Sequence, residues 1–496
     1  MENIVELLYR SAANYPDQFC VVSPAGKVTY REMLHEVQSL MFTLYHEGVR
    51  RGDRVILYFK NSSEYIAAFF AVAALNAVAV PVNAANNLHH LKYIIDVTEP
   101  VLILADKALM NGFSQEDTEK VRVLQDLVQW KSGIEFTGDC IPYNTGNNAK
   151  TAMIIFTSGT SATPKGVMLS HGNLLANTYS ILDYLHLTHE DSVLVTIAFS
   201  YSYGNSLLLT HIASGGTLIL ENHAAFPVKV IESLKNYRPT GFSTVGSYLN
   251  LLLKAAPLEN LGFSGLEYIT FAGEATNYNI LQQLQKVYPE LKIFVMYGQT
   301  EASARLSYLP CELLAQKSGS VGKGINNVEL KVVNERGGQV APGETGEILA
   351  RGPNIMQGYW QDEEGTKAVL QNGWLHTGDI ATVDRDGFIY IQGRNNDIIK
   401  YLGHRISPME IECCLDKIPG VFESAVIEAI QNGEVCIKAF VVTDGRITIE
   451  SIHEHIRNVL PPFKRPAIIQ AIPEIPRTTN GKIKRAALRE AELCVG

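Results

Sequence analysis

The sequence predicts a mainly parallel α/β fold followed by a small α+β unit, and three observations carry that prediction. From Val5 to Glu301, short apolar runs suited to buried strands alternate with helical patterns, which is how parallel α/β sheets are written. Between Gly322 and Arg351 the pattern becomes residue-by-residue alternation, punctuated by Gly337-Gly338 and Pro342-Gly343, as in a small antiparallel, β-barrel-like subdomain. Beyond Gly393 a fresh alternation begins and continues for about a hundred residues, enough for a separate small domain. The expected division is a large domain over residues 1–394 and a small one over 395–496.

Composition narrows the class. A chain of 496 residues needs more than one core. Its net charge of −9 disfavours nucleic acid as the principal partner. Met1 to Leu7 places no basic region ahead of an apolar core, so no signal peptide is expected. The apolar run from Tyr65 to Val82 is broken by Asn76 and reads as a buried helix and then a strand, not a membrane span. Seven cysteines, odd in number and without metal-type spacing, indicate reduced thiols and a cytoplasmic protein. Cys413-Cys414 fall within a helical pattern and are expected to be buried.

Taken in order, Val5 to Ala13 has helical periodicity, and Lys27 to Tyr30 reads as a strand leading to a helix near Glu32 to Tyr45. Arg54 to Phe59, Ala79 to Val82 and Val101 to Ala105 are strands, with a helix near Glu64 to Leu75. Ala152 to Phe156 is a buried strand that runs into Thr157-Ser158-Gly159-Thr160-Ser161-Ala162-Thr163-Pro164-Lys165-Gly166. Five hydroxyls, two glycines and a lysine suit phosphate: small residues let backbone N–H groups approach, hydroxyls donate, and Lys165 adds charge. The same composition also suits an exposed turn. No Ser or Thr follows Lys165, so this is not a Walker A loop. Ser170 or His171 then opens a helix with Asn173 in its first turn.

Ser192 to Val195 and Thr217 to Leu220 are strands, and between them Phe199 to Asn205 alternates aromatic and polar residues. That stretch fits either a pocket lining or one face of a half-buried strand. Three further strands, Gly241 to Val245, Tyr268 to Glu274 and Ile293 to Glu301, end in small or polar residues. Ligands of open α/β sheets sit beyond strand carboxyl ends, so these ends and the Ser/Thr/Gly loop should converge on one crevice. A carboxylate such as Glu301 near a phosphate loop calls for an intervening cation, hence Mg²⁺. Asp379, beside Gly378, is placed to accept paired hydroxyl donors or to be an ordinary loop acid. Helices near Pro408 to Leu415 and Thr448 to Val459 flank strands near Ala425 and Ile437 to Val442. Near the end, Pro476 to Arg485 places Lys482 in a Gly-containing loop that suits an anion or a solvated face.

The order of these segments resembles the adenylate-forming superfamily of acyl-CoA synthetases, non-ribosomal peptide adenylation domains and firefly luciferase. The resemblance spans essentially the whole chain. It rests on the Ser/Thr/Gly loop, Tyr-Gly-x-Thr-Glu at 297–301, Thr-Gly-Asp at 377–379, Gly-Arg at 393–394 and Gly-Lys at 481–482. It implies an enzyme that activates a carboxylic acid with ATP as an acyl-adenylate, releasing pyrophosphate, and passes the acyl group to a pantetheine thiol, releasing AMP. The implied cofactors are ATP, Mg²⁺ and coenzyme A or a carrier-protein phosphopantetheine.

By the same resemblance, Thr157, Ser158, Gly159, Thr160, Ser161 and Lys165 would enclose the β- and γ-phosphates. Glu301 would hold Mg²⁺ with help from Thr160. Gly273, Glu274, Ala275 and Tyr297 would frame the adenine, with Gly298 and Thr300 adjoining. Asp379 would bind the ribose, with Arg394 close by. Lys482 would bridge the carboxylate and the α-phosphate. Lys400 would act once the mobile small domain has turned about Asn396. Tyr201 falls where many members place a gating His or another aromatic. Ala162 replaces a usual second loop glycine, restricting positive φ, and Asn396 replaces the commoner Asp or Lys hinge.

Amino-acid-activating relatives place an Asp near the start of the segment matching Phe199 to Asn205, where this chain has none, so an α-amino acid is disfavoured. Tyr201, Ser202, Tyr203, Ser247, Tyr248, Ala272 and Met296 suit an aryl or medium acyl acid. A ligase loading a carrier protein and an amide-forming ligase remain alternatives within the enzyme class. A catalytically silent nucleotide-binding regulator is the alternative outside it, and Glu301, Asp379 and Lys482 argue against that.

Overall fold

In the computed structural model, the residues described are 3–85, 88–106, 109, 122–124, 148–157, 164–273, 278–402, 404–431, 434–477 and 483–493. Two large sheets and a small antiparallel sheet make up the large domain. The first has nine strands in the order Lys323–Gly324, Ser307–Leu309, Lys292–Tyr297, Tyr268–Phe271, Gly241–Thr244, Ser192–Val195, Thr217–Leu220, Phe19–Ser23 and Gly26–Thr29. Its central pairings are parallel and its outer ones antiparallel.

The second sheet has seven strands in the order Gly358–Tyr359, Lys165–Ser170, Thr151–Thr157, Val78–Asn83, Arg54–Phe59, Leu102–Ala105 and Arg122–Leu124. Both of these sheets are buried on two faces, which is why their strands read as unbroken apolar runs. Val55 and Leu57 belong to the largest core cluster, whereas Ile56 and Tyr58 belong to another. That largest cluster also takes Val193 and Val195 from the first sheet and Tyr65, Phe69 and Phe70 from the helix Ser63–Ala74. It therefore joins the two sheets through the helices that pack on both.

Local chemistry sets the helix starts. Thr29 caps Tyr30–His46 with a reciprocal bond from Glu32, so Tyr30 opens a helix where a strand end was expected. Ser170 and Asn173 form the same box at His171–Leu185, in line with the expected start. Thr448 caps Ile449–Val459.

The stretch Phe199 to Asn205 is not a strand. Tyr201 stands at the N-cap of a helix, Ser202–Ser214, in which every residue from Gly204 to Ile212 is buried. Gly204 allows this, since a Cβ there would lie 2.1 Å from the Ala198 carbonyl oxygen.

The small antiparallel sheet pairs Glu329–Val333, Thr345–Arg351, Trp374–Val383 and Leu370–Gln371, with Ile389–Arg394 on the other side of Trp374–Val383. After a 3₁₀ turn at Asn395–Asp397 comes the small domain. It holds a hairpin, Ile399–Tyr401 with His404–Ile406, and a three-stranded sheet of Val421–Gln431, Glu434–Thr443 and Ile468–Ala471. Its core includes Ile399, Ile411, Ile437 and Ile452.

Cys413 departs from expectation: it is exposed and Cys414 is only half-buried. Helix Pro408–Leu415 instead buries Ile411, Leu415 and Glu412, the last because its carboxylate is neutralised by Arg485 at 2.5 Å. The five described cysteines are all free thiols. Among the described residues, no helix is long and apolar enough to cross a membrane.

Candidate active site

The strands Gly241–Thr244, Tyr268–Phe271 and Lys292–Tyr297 are parallel neighbours, so their carboxyl ends lie along one edge of the first sheet, as their polar endings predict. The third runs into a loop that turns back at once, with Leu306 N–H donating to the Tyr297 carbonyl at 2.9 Å. Gly298 makes the neck of that loop possible, because a Cβ there would sit 1.8 Å from the Ala304 carbonyl oxygen. Thr300 and Glu301 ride on a single 3₁₀ turn within it.

Asp379 is buried and held at both carboxylate oxygens. The Tyr297 hydroxyl donates to Oδ2 at 2.6 Å, and Arg394 Nε meets Oδ1 at 2.8 Å. Register produces the second contact, since Asp379 and Arg394 are direct partners across the antiparallel pair. Arg394 also donates to the Thr377 carbonyl at 3.0 Å. Burial, and then the Asp379 carboxylate, push the Tyr297 hydroxyl well above its usual range, so it stays a donor. Three residues separated widely in sequence thus form one fixed polar corner.

Glu301 belongs to a second group. Tyr359 donates its hydroxyl to Glu301 Oε1 at 2.9 Å, and burial followed by Glu301 itself keeps that hydroxyl protonated. Lys165, where the Ser/Thr/Gly loop re-enters its sheet, lies 4.6 Å over the Tyr359 ring and pairs with Asp362 at 3.0 Å. The Gly365 backbone N–H and then Lys165 hold the Asp362 carboxyl below its usual range. Glu301 has no ion-pair partner among the described residues. A carboxylate fixed by one neutral hydroxyl, next to Thr300, is a set of hard oxygen donors suited to Mg²⁺.

The structure therefore brings Tyr297, Gly298, Thr300, Glu301, Asp379, Arg394 and Lys165 into two adjoining groups. Thr157 sits across the hairpin from Lys165. Ser158, Gly159, Thr160, Ser161, Glu274, Ala275 and Lys482, and with them Ala162, lie outside the described residues. Gly273 is exposed, with φ +91°. Lys400 is exposed on the first strand of the small-domain hairpin, and Asn396 lies within the 3₁₀ turn.

Among the residues expected to line an acyl pocket, Tyr201 and Asn83 are hydrogen-bonded through the phenol and the amide, and Ser202 Oγ meets Thr300 Oγ1 at 3.3 Å. Tyr203 bonds Thr270 Oγ1 at 2.8 Å and packs with Ala272 and Met296. Ser247 lies half-buried on helix Gly246–Ala255. Tyr248 is placed apart from the others: its hydroxyl donates to the Ala224 carbonyl at 2.7 Å and its ring packs on a different cluster. Sequence reasoning missed Tyr359, Asp362 and Arg305. The first two carry no motif of their own, and Arg305 stands out in the sequence only by following the 297–301 motif.

Comparison with known proteins settles the family. The AMP-binding enzyme model matches residues 8–360, and the AMP-binding enzyme C-terminal domain model matches 410–482. This chain belongs to the AMP-binding enzymes. It is similar to a 2-succinylbenzoate–CoA ligase of Bacillus cereus, 31% identical over 99% of both chains. It is also similar to an indoleacetate–CoA ligase of Aromatoleum aromaticum, 28% identical over 98% of this chain and 97% of that one. Among solved structures, the o-succinylbenzoate CoA synthetase of Bacillus subtilis with its acyl-adenylate superposes with a TM-score of 0.86. It is 25% identical and covers 98% of each chain. The same enzyme has been solved with ATP and magnesium ion, again at a TM-score of 0.86 and 26% identical. The chain is thus an AMP-forming acid–thiol ligase, with a large α/β domain and a small carboxyl-terminal one.

Proposed function

We propose that this ligase activates an aryl or medium-length carboxylic acid other than an α-amino acid, and that its acceptor thiol is coenzyme A. The observation that carries the reading is the corner of Tyr297, Asp379 and Arg394 beside Glu301: a preformed acidic acceptor next to a second carboxylate that has no ion-pair partner among the described residues. Such a pair serves a ribose and a magnesium-bound phosphate, and serves few other ligands as well.

In this reading Asp379 accepts the ribose hydroxyls, with its plane fixed by Tyr297 and Arg394. Lys165 and the loop before it hold the departing phosphates. Magnesium at Glu301 would neutralise phosphate charge as the leaving group develops. The acid's carboxylate must attack an anionic phosphorus, and Lys482 is assigned to shield that approach and to stabilise the charge that grows there. Lys400, exposed at present, would come into play after a turn of the small domain (residues 395–496) about Asn396. The acyl end supports the choice of acid, because its wall is aromatic and hydroxylic and Phe199 to Asn205 offers no carboxylate for an ammonium group. Free cysteines and the use of ATP fit a cytoplasmic setting.

The test is ATP–pyrophosphate exchange across a panel of acids, followed by transfer to coenzyme A and to a holo-carrier protein in parallel. Aryl or medium acyl acids and coenzyme A should be preferred. Activity confined to amino acids would overturn the acid assignment, and transfer only to the carrier protein or to an amine would overturn the acceptor. Lys482→Ala should abolish exchange while leaving ATP binding intact by calorimetry, and an unchanged exchange rate would refute its role.

A further inference from the structure

We propose that Arg305 is the specificity residue of the acyl end and takes a second carboxylate of the substrate, so that the acid activated here is a dicarboxylic acid. The inference rests on the function proposed above and narrows its substrate.

Arg305 is only 2% exposed. Its backbone is pinned from two directions, since the buried side-chain amides of Asn177 and Asn354 each donate to its carbonyl at 2.9 Å. Its guanidinium lies 5.0 Å over the ring of Tyr203 and faces the Tyr184 hydroxyl, which donates to Met296 Sδ at 3.1 Å. Those neighbours are aromatic or neutral. Arg305 makes no ion pair with a carboxylate among the described residues, and its buried Nε has no hydrogen-bond partner.

The other partly buried arginines among the described residues have partners for their guanidinium: Arg54 and Arg465 donate to backbone carbonyls, and three more are ion-paired. Arg394 is paired with Asp379, Arg485 with Glu412 and Arg477 with Glu423. A buried cation without a counter-ion is costly, and a cation–π contact offsets only part of that cost. A ligand carboxylate would complete the pair, and a guanidinium fork can meet it with two parallel hydrogen bonds.

The carboxylate in question is not the one that reacts. The reacting group belongs with the nucleotide, near Thr300, Glu301 and Asp379. Arg305 instead faces Tyr203, Tyr184 and the Met296 thioether, which carry none of the nucleotide-end groups. An acid with an apolar tail would leave Arg305 buried and unpaired, whereas one with a distal carboxylate would satisfy it. Selectivity then follows from the unpaired state as much as from the paired one.

The experiment compares kcat/KM for matched pairs in the full-length protein: dicarboxylic acids such as 2-succinylbenzoate against their distal monomethyl esters, with indoleacetate as a monocarboxylic reference. The wild type should favour the diacid by about 100-fold or more, in the range that buried polar recognition supplies. Arg305→Leu should collapse that ratio towards one, with the loss falling on KM for the diacid, while Arg305→Lys keeps part of it. A wild type that prefers the ester or indoleacetate overturns the proposal and leaves the acid–thiol ligase reading standing. A variant that lowers both members of each pair equally also overturns it, since a purely structural arginine would behave in that way. If Arg305→Leu does not fold, the wild-type ratio and Arg305→Lys decide the matter. Absence of exchange with every acid would overturn the function reading and this inference together.

Discussion

At the nucleotide end of the crevice, charge meets charge: Asp379 is gripped by Arg394 and Tyr297, and Lys165 is paired with Asp362. At the acyl end the framework is neutral. Tyr203, Thr270 and Ser243 form a chain of hydroxyls, Tyr268 bonds to His211 at 3.1 Å, and the cation Arg305 makes no ion pair among the described residues. In the function proposed above, the contrast follows from what each end binds. ATP is the same for every member of such a family, so its receptor can be built from charges that hold one another in place beforehand. The acid differs from one member to the next, and a wall of neutral hydroxyls and rings can be recut by changing single side chains.

The contrast can be broken from either side. Glu301→Gln should cost the most, about 3–4 kcal/mol of transition-state stabilisation by analogy with removing one preorganised electrostatic group. It should appear as a loss of pyrophosphate exchange of about 150- to 900-fold, with a raised magnesium requirement. A loss confined to the KM for the acid would put Glu301 at the wrong end.

Acid pH should strike the acyl end. Burial lowers the His211 imidazole to about 4, so it is neutral in the folded protein, while an unfolded His titrates near 6.5. Its contribution is complete above pH 6.5 and is lost as pH falls from 6.5 towards 4, at most about 3 kcal/mol for a shift of that size. Urea unfolding across that window should show stability falling with pH. His211→Gln, which can keep bonds to the Leu207 carbonyl and the Tyr268 hydroxyl, should make the slope shallower, the buried His171, also lowered to about 4, supplying a slope of its own in the same window. An unchanged slope would move the acid sensitivity elsewhere.

Asp379→Ala leaves Arg394 and Tyr297 without their acceptor. The expected cost is about 2–3 kcal/mol, because half of the Arg394 side chain still reaches water. Calorimetry should show AMP affinity reduced by about 30- to 150-fold, with the KM ratio among acids unaltered. The smallest effect belongs to Tyr203→Phe, which removes the neutral contacts of its hydroxyl with the Thr270 hydroxyl and carbonyl, worth about 1 kcal/mol. That change should alter acid KM values several-fold and leave AMP binding as it was.

The nucleotide end was the more legible of the two in the sequence. Its residues stand where strands stop in polar or glycine-rich turns, and such turns signal themselves through residue type. Tyr297, Glu301 and Asp379 could therefore be placed before any contact was known. Their partners could not: Tyr359 reaches Glu301 from 58 residues away, and Asp362 reaches Lys165 from a helix start that has no motif. Phe199 to Asn205 misled for a different reason. The helix it opens is buried almost all round, so it carries no polar stripe to reveal a helical period, and its N-cap, Tyr201, makes no side-chain cap bond. The strand Lys165–Ser170 was hidden by a lysine and a glycine in its first two positions. Arg305 was hidden because a charged residue in a list of letters looks solvated until its burial is seen.

Arg394 is the last residue of its strand, and the 3₁₀ turn that leads into the small domain begins at the next residue, Asn395. In the proposed function, the residues that grip the sugar therefore also form the fixed post from which the small domain hangs. A swing of that domain starting at Asn395 would pass outside the grip and leave it closed. Such an arrangement separates two clocks. On the proposed mechanism, the catalytic groups would be exchanged between the first half-reaction and the second without loosening the nucleotide.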